Sequence, residues 1–333
     1  MSLTRLKLDE VKALAVDALS AAGADAANAE AIAACMTRAE RDGAKSHGLF
    51  RTAGYVGAIR SGKANGAAKP RIVARDGAAI RMDCDRGFAP TAHAVGLPAL
   101  AETAKELGLG ALALRRCLHY AALWPEVETL TEAGLAAMAF TSSPPYVHMA
   151  GGRRRVFGTN PMAFGWPRPA RPPMIFDQAS SLTARGEVMI AKRDGHAAPE
   201  GAGIGPDGAP TTDPAAILEG AQSPFGGYKG AAIALMVDLL AGPLIGELTS
   251  LEIAAEDDGA GPALGGQLIL AFDPARLGGV DALVHGERLF EALAEEPGVR
   301  LPGDRRAATR PKTPVEGVEI PTSLYEDIKG MIG

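Results

Sequence analysis

Apolar residues recur at helical spacing over the first forty positions. Leu8, Val11, Ala15, Ala18 and Leu19 fall on one face, and Gly23 supplies a stop. Asp25 caps a second helix that carries Ala29, Ile32, Ala33 and Met36 to near Glu40 and ends at Asp42-Gly43. The pattern then changes. Ile72 and Ala74, then Ile80 and Met82, alternate with charged or small neighbours, predicting two short strands joined by Asp76-Gly77. A helix over 90–107, a buried strand at Ala111–Leu114, a helix near 121–133 and an apolar strand at 135–141 follow. Met174-Ile175-Phe176-Asp177 is an apolar run ending in a carboxylate. Residues 195–220, rich in Gly, Pro, Asp and Thr, read as one long loop. Gly230–Leu240 reads as a strongly apolar helix, Gln267–Phe272 as a strand, 281–295 as an amphipathic helix, and 322–331 as the last helix. This order predicts an α/β protein of α+β character, with a sheet domain set between helical segments.

Composition narrows the classes. With 333 residues and 47% hydrophobic content, the chain can bury one large core or two to three smaller ones. The formal net charge of −5 gives no basic surplus, so no nucleic-acid partner is expected. Cys35, Cys84 and Cys117 lack metal-ligand or disulfide-framework spacing and read as reduced thiols, and no metal is expected. The start, Met1-Ser2-Leu3-Thr4-Arg5-Leu6-Lys7, has no signal-peptide character, and no run approaches the roughly 18 apolar residues of a membrane span. No membrane partner and a cytoplasmic location are therefore expected.

Familiar cofactor motifs are missing. Gly108-Leu109-Gly110 precedes a strand instead of following one, and Gly201-Ala202-Gly203-Ile204-Gly205 runs into Pro206-Asp207. Neither has the strand–turn–helix context of a Rossmann fingerprint. There is also no P-loop, no G-x-S-x-G elbow and no H-E-x-x-H.

Four other segments carry chemistry, each beside a plainer account. Ser46-His47-Gly48 follows a helix, with Arg51 four residues on. If the turn continues as helix, His47 and Arg51 share a face, suited to clamping a carboxylate and exchanging a proton near neutral pH. The plainer account is a capping serine with two surface side chains. Gly158-Thr159-Asn160-Pro161 is either a structural turn or one that presents a threonine hydroxyl. Phe225-Gly226-Gly227-Tyr228-Lys229-Gly230 opens the apolar helix, where backbone amides and Lys229 could receive phosphate or form an N-terminal turn alone. The basic turn Arg300-Leu301-Pro302-Gly303-Asp304-Arg305-Arg306 could grip a further phosphate or simply face water.

Taken together, these segments resemble the type-2 malate/L-lactate dehydrogenase family over nearly the whole chain. The resemblance rests on Ser46-His47-Gly48-Leu49-Phe50-Arg51, His119-Tyr120-Ala121-Ala122-Leu123-Trp124-Pro125, the G-T-N-P-M-A-F-G run at 158–165, Phe176-Asp177, Arg185-Gly186-Glu187-Val188 and G-G-Y-K-G at 226–230. The His119–Glu128 run, P-F-G-G-Y-K-G and L-P-G-D-R-R look most like the branch of Δ1-piperideine-2-carboxylate/Δ1-pyrroline-2-carboxylate reductases.

The resemblance implies a non-Rossmann cofactor domain with a largely antiparallel mixed sheet, flanked by helical segments from both termini, and a homodimer. It divides the chain into residues 1–70 with 290–333 (substrate and dimer region), a small α/β segment at 71–125, and an NAD(P)H domain at 126–289. It implies reduction of a cyclic imino acid by NADPH, with NADH possible, to L-pipecolate or L-proline. The alternative within the family is a 2-hydroxy acid dehydrogenase for malate, lactate, ureidoglycolate or sulfolactate. Ser46, His47 and Glu187 correspond to the catalytic relay, and Arg51, Thr159, Arg185 and Gly186 to substrate contacts, with Arg51 and the Thr159 turn holding the carboxylate. His119, Tyr120, Ala121, Ala122, Leu123, Asp177, Gln178, Ala179, Gly227, Tyr228, Lys229 and the whole Arg300–Arg306 turn correspond to cofactor contacts. The family pattern has Asp in place of Glu187, and often a histidine in place of Leu118.

Overall fold

The computed structural model describes residues 2–256 and 262–333; Met1 of the N-terminal reading and 257–261 of the 126–289 segment lie outside them. The two ends of the chain meet. Leu3–Leu6 pairs antiparallel with Val318–Pro321, and the Thr322–Ile332 helix packs on the Leu8–Ala21 helix. Asp25 caps the Ala26–Arg41 helix as expected, accepting from the Asn28 backbone N–H at 2.9 Å. Leu19, Ile32, Met36, Tyr55, Ile320 and Ile328 form the core of this helical layer.

The central sheet has the strand order Arg71–Asp76, Ala79–Asp83, Leu109–Leu118, Leu264–Phe272, Ala136–Thr141, Met162–Trp166, Met174–Gln178. All neighbours run antiparallel except Ala79–Asp83 against Leu109–Leu118. One face buries Leu112, Leu114, Ala137 and Ile269 beneath the Ala89–Leu107 and Trp124–Glu132 helices. The other packs Ala113, Phe140 and Leu268 against Val237 and Ala241 of the Tyr228–Ala241 helix. Both faces are covered, which explains why the Leu109–Leu118 and Leu264–Phe272 strands read as apolar runs instead of alternating.

Three expectations change. The segment 195–220 is not one loop. It contains Gly203–Ile204, Pro210–Thr211 and the Pro214–Glu219 helix, which join a second, five-stranded sheet through Ala221–Gln222, Val147–His148 and Arg155–Phe157. Elements this short contain fewer than two hydrophobic periods, too few to establish a pattern. The helices Thr52–Arg60 and Arg185–Asp194 were also not expected; the second has only Gly186, Val188 and Ala191 buried. Finally, Tyr228–Ile245 is long and apolar enough to pass for a membrane span, with mean hydropathy 1.5. It is a core helix on one side: buried Asp238 accepts from the Ser250 backbone N–H at 2.9 Å, and Gly242 ends the regular helix. Its other side leaves Leu235, Met236 and Leu239 exposed.

Candidate active site

The turn carrying Ser46, His47 and Arg51 is shaped by the helix before it. After Asp42-Gly43 the chain makes two tight 3₁₀ turns, Lys45–His47 and Leu49–Arg51. Glu40, buried in the last turn of the preceding helix, accepts from the Leu49 backbone N–H at 2.8 Å. A Cβ at position 48 would lie 2.1 Å from Glu40 Oε1, so only glycine lets the turn pass over this carboxyl. Burial pushes Glu40 up to about 7, against the opposing effects of the Leu49 bond and Lys45. The break at Gly48 means that His47 and Arg51 do not share a helix face, yet both side chains line the same cavity.

Inside that cavity, Ser46 Oγ lies 3.2 Å from His47 Nδ1. Arg51 Nε donates to the Ser46 carbonyl at 2.7 Å, and its guanidinium carbon sits 4.3 Å from the centroid of the Tyr120 ring. His47 is driven down to about 3, first by burial, then by Arg51 and His119. A relay in which Glu187 stood beside His47 would favour the charged ring instead. Glu187 is exposed on the cavity wall and makes no hydrogen bond to Ser46 or His47 among the described residues.

The opposite wall is the start of the Arg185–Asp194 helix. A Cβ on Gly186 would meet Ser46 Cβ at 3.1 Å and Arg51 Nη2 at 3.2 Å, so glycine permits this close approach. Arg185 stacks at 3.7 Å on the Tyr146 ring, and burial lowers its pKa. Thr159 completes this end. Its turn is anchored by Gly158 N–H donating to Ser250 Oγ at 2.9 Å, Thr159 N–H to Ser143 Oγ at 3.2 Å, and Asn160 Nδ2 to the Ala234 carbonyl at 2.9 Å. Asn160 is fully buried with φ +35°, a conformation asparagine tolerates better than most residues.

The floor comes from the end of the Leu109–Leu118 strand and from Met174–Gln178. His119, Tyr120 and Ala121 face the smaller cavity; Ala122, Asp177, Gln178 and Ala179 face the larger one. Asp177 Oδ2 accepts from the backbone N–H groups of Leu123 (2.8 Å) and Trp124 (3.1 Å), capping the Trp124–Glu132 helix. Burial nevertheless raises Asp177 to about 6. Leu118 is fully buried among the helical-layer side chains and does not reach the cleft.

The two cavities, about 310 and about 760 Å³, share His47, Arg51, Thr159, Pro161 and Arg185 and so form one cleft. Arg305 and Arg306 line only the larger cavity. Arg306 is already engaged, donating to the Ile175 carbonyl at 2.7 Å and standing 5.5 Å from the Trp124 ring centroid. Leu301, Gly303 and Asp304 line a separate pocket beside Arg168, while Arg300 and Pro302 are exposed and line none of these cavities. Gly227, Tyr228 and Lys229 are exposed at the start of their helix and also lie off the cleft. Sequence reading missed Ser142, Ser143, Tyr146, Met189 and Ile253, which line the smaller cavity. None sits in a motif, and only tertiary contact brings them there.

A histidine that shares one cavity with two arginines is suited to binding a small anion and exchanging a proton with it. The chain belongs to the malate/L-lactate dehydrogenase family, whose sequence model matches residues 6–329, and it is an oxidoreductase. It is 48% identical to a Δ1-pyrroline-2-carboxylate reductase of Ancylobacter novellus, covering 98% of this chain and 97% of the relative. It is 45% identical to a Δ1-pyrroline-2-carboxylate/Δ1-piperideine-2-carboxylate reductase of Pseudomonas aeruginosa, over 99% and 100%. Among solved structures, the Δ1-piperideine-2-carboxylate reductase of Pseudomonas syringae pvar. tomato superposes with a TM-score of 0.93 at 37% identity, covering 98% and 99%. The α/β fold with mixed sheets is therefore that of the family.

Proposed function

We propose that the protein reduces cyclic imino acids, Δ1-pyrroline-2-carboxylate and Δ1-piperideine-2-carboxylate, to L-proline and L-pipecolate with NADPH. The observation that carries this reading is that His47, Arg51 and Arg185 line one cavity. Relatives 48% and 45% identical, named for these activities, support it. Arg51 and Arg185 hold the substrate carboxylate, with the Thr159 hydroxyl beside it. His47, oriented by Ser46, gives a proton to the ring nitrogen. In the free protein burial and Arg51 keep His47 neutral. A carboxylate seated on Arg51 offsets that repulsion and favours the charged ring. Glu187, exposed on the same wall, is the carboxylate through which the proton is replenished.

The reading of the cleft as a dinucleotide site is supported by its lining: His119 to Ala121 on the smaller cavity, Ala122 and Asp177 to Ala179 on the larger, and exposed Arg305 on the larger alone. The bound nicotinamide supplies the hydride. We assign residues 126–289 to this cofactor domain and 1–70 with 290–333 to the substrate and dimer region. The reading of the cofactor domain as non-Rossmann is supported by its chiefly antiparallel strands. The exposed Leu235, Met236, Leu239 and Leu244 support the reading of a homodimer.

The test is oxidation of NADPH and NADH against a panel of cyclic imines and 2-oxo acids. The reading holds if the cyclic imines with NADPH give the highest kcat/KM. It fails if malate-, lactate- or sulfolactate-type substrates outrun them.

A further inference from the structure

The buried side of His119 ends a chain of side chains that the proposed reaction does not use. His93 Nε2 lies 2.7 Å from Gln267 Oε1 and, facing a carbonyl oxygen, donates to it. Gln267 Nε2 donates to Glu126 Oε1 at 2.6 Å. Glu126 Oε1 in turn lies 3.5 Å from His119 Nε2. That nitrogen is buried with no hydrogen-bond partner among the described residues, while the His119 ring lines the cavity beside His47. The side chains of His119 and Glu126 are 5% and 1% exposed.

The chain joins separate elements. His93 comes from the Ala89–Leu107 helix and Glu126 from the first turn of Trp124–Glu132. Gln267 comes from the central strand, where the register shifts between Gly265 and Gln267. The donor atoms of His93, His119 and Glu126 lie within 4.8 Å of one another, as in a metal site. However, Gln267 already bonds both His93 Nε2 and Glu126 Oε1, so two of the three groups are engaged by an amide and only His119 Nε2 is left unpartnered.

A neutral imidazole carries one proton, and the bond made by one ring nitrogen decides which nitrogen holds it. Burial keeps His119 neutral, down to about 4, although Asp177 pulls the other way. Gln267 approaches Glu126 as a donor, so the carboxyl is used as an acceptor. We propose that Glu126 is a positioning residue acting through His119: its Oε1, the carboxylate oxygen 3.5 Å from Nε2, draws the imidazole proton to that nitrogen and leaves Nδ1 a bare acceptor for an amide or hydroxyl of the bound nucleotide. The nucleotide half of this rests on the reading of the cleft given above. The tautomer half does not.

Two measurements separate them. In the ¹⁵N-labelled free protein, the His119 ring nitrogens should show the Nε2–H pattern at pH 7; an Nδ1–H pattern overturns the proposal without need of any variant. Glu126→Leu removes the acceptor and should shift His119 toward Nδ1–H. It should weaken NADPH binding, read by nucleotide fluorescence, by about tenfold, the equivalent of one hydrogen bond. Glu126→Gln keeps an acceptor and should restore both readings. Equal weakening in the two variants, or none in Glu126→Leu, overturns the positioning role. An intact tautomer in a wild-type protein that binds no NADPH would instead sink the cofactor reading.

Discussion

The Ser46 hydroxyl lies 3.2 Å from Nδ1 of His47, the residue that follows it. That contact occupies Nδ1 and leaves Nε2 without a hydrogen bond among the described residues. His47→Asn should therefore lower kcat by about 10²–10⁴, the usual contribution of a general acid, while NADPH still binds. Survival of more than about a tenth of the wild-type rate would assign the proton to another group.

The acid side of the stability profile has a defined sign. His47 falls to about 3 in the folded protein through burial, Arg51 and His119, from an ordinary value of 6.5. The unfolded chain takes up a proton first as pH drops, so stability from this group is lost between 6.5 and about 3. NMR titration of the free protein should place His47 low in this window. A non-reducible cyclic carboxylate should move it upward; an unmoved titration would place the carboxylate away from Arg51.

Arg51 combines a bond to the Ser46 carbonyl with the Tyr120 stack. Arg51→Lys keeps the charge but loses the planar fork. The expected result is a raised KM with a smaller change in kcat. Steady-state kinetics with both parameters unchanged would remove Arg51 from the carboxylate site.

Glu40 is buried and its carboxyl is raised from 4.5 to about 7, chiefly by burial. A raised carboxyl destabilises as pH climbs from 4.5 toward 7, because only the unfolded chain ionises there. Glu40→Gln keeps an acceptor for Leu49 and should be more stable than wild type at pH 8, by at most about 3 kcal/mol, but not at pH 4. Urea unfolding at the two pH values checks this; an equal effect at both would mean that ionisation is not involved.

Arg305 and Arg306 separate two roles. Exposed Arg305 is free to meet a 2′-phosphate, whereas Arg306 is held by the Ile175 carbonyl and stands near Trp124. Arg305→Ala should reduce NADPH preference over NADH by roughly ten- to hundredfold. Arg306→Ala should weaken both cofactors and lower Tm. Equal loss for both cofactors in Arg305→Ala would place the phosphate elsewhere.

Much of this protein is legible locally. Long helices with apolar stripes, the Asp25 cap, the Asp76-Gly77 hairpin and the missing glycine-rich fingerprint all depend on neighbours in sequence. So does the Ser46–Arg51 segment, because its residues are contiguous. What the sequence alone could not decide is how distant residues meet. The pairing of Leu3–Leu6 with Val318–Pro321 joins positions with no shared pattern. Tyr146 reaches Arg185, and Glu126, Gln267, His93 and His119 converge from different elements. Their ionisation was equally out of reach: the same histidine type takes its ordinary value in water, and only burial beside Arg51 drives His47 low. Periodicity records which face of an element is buried, but burial of a charge and its distance from another belong to the packed molecule.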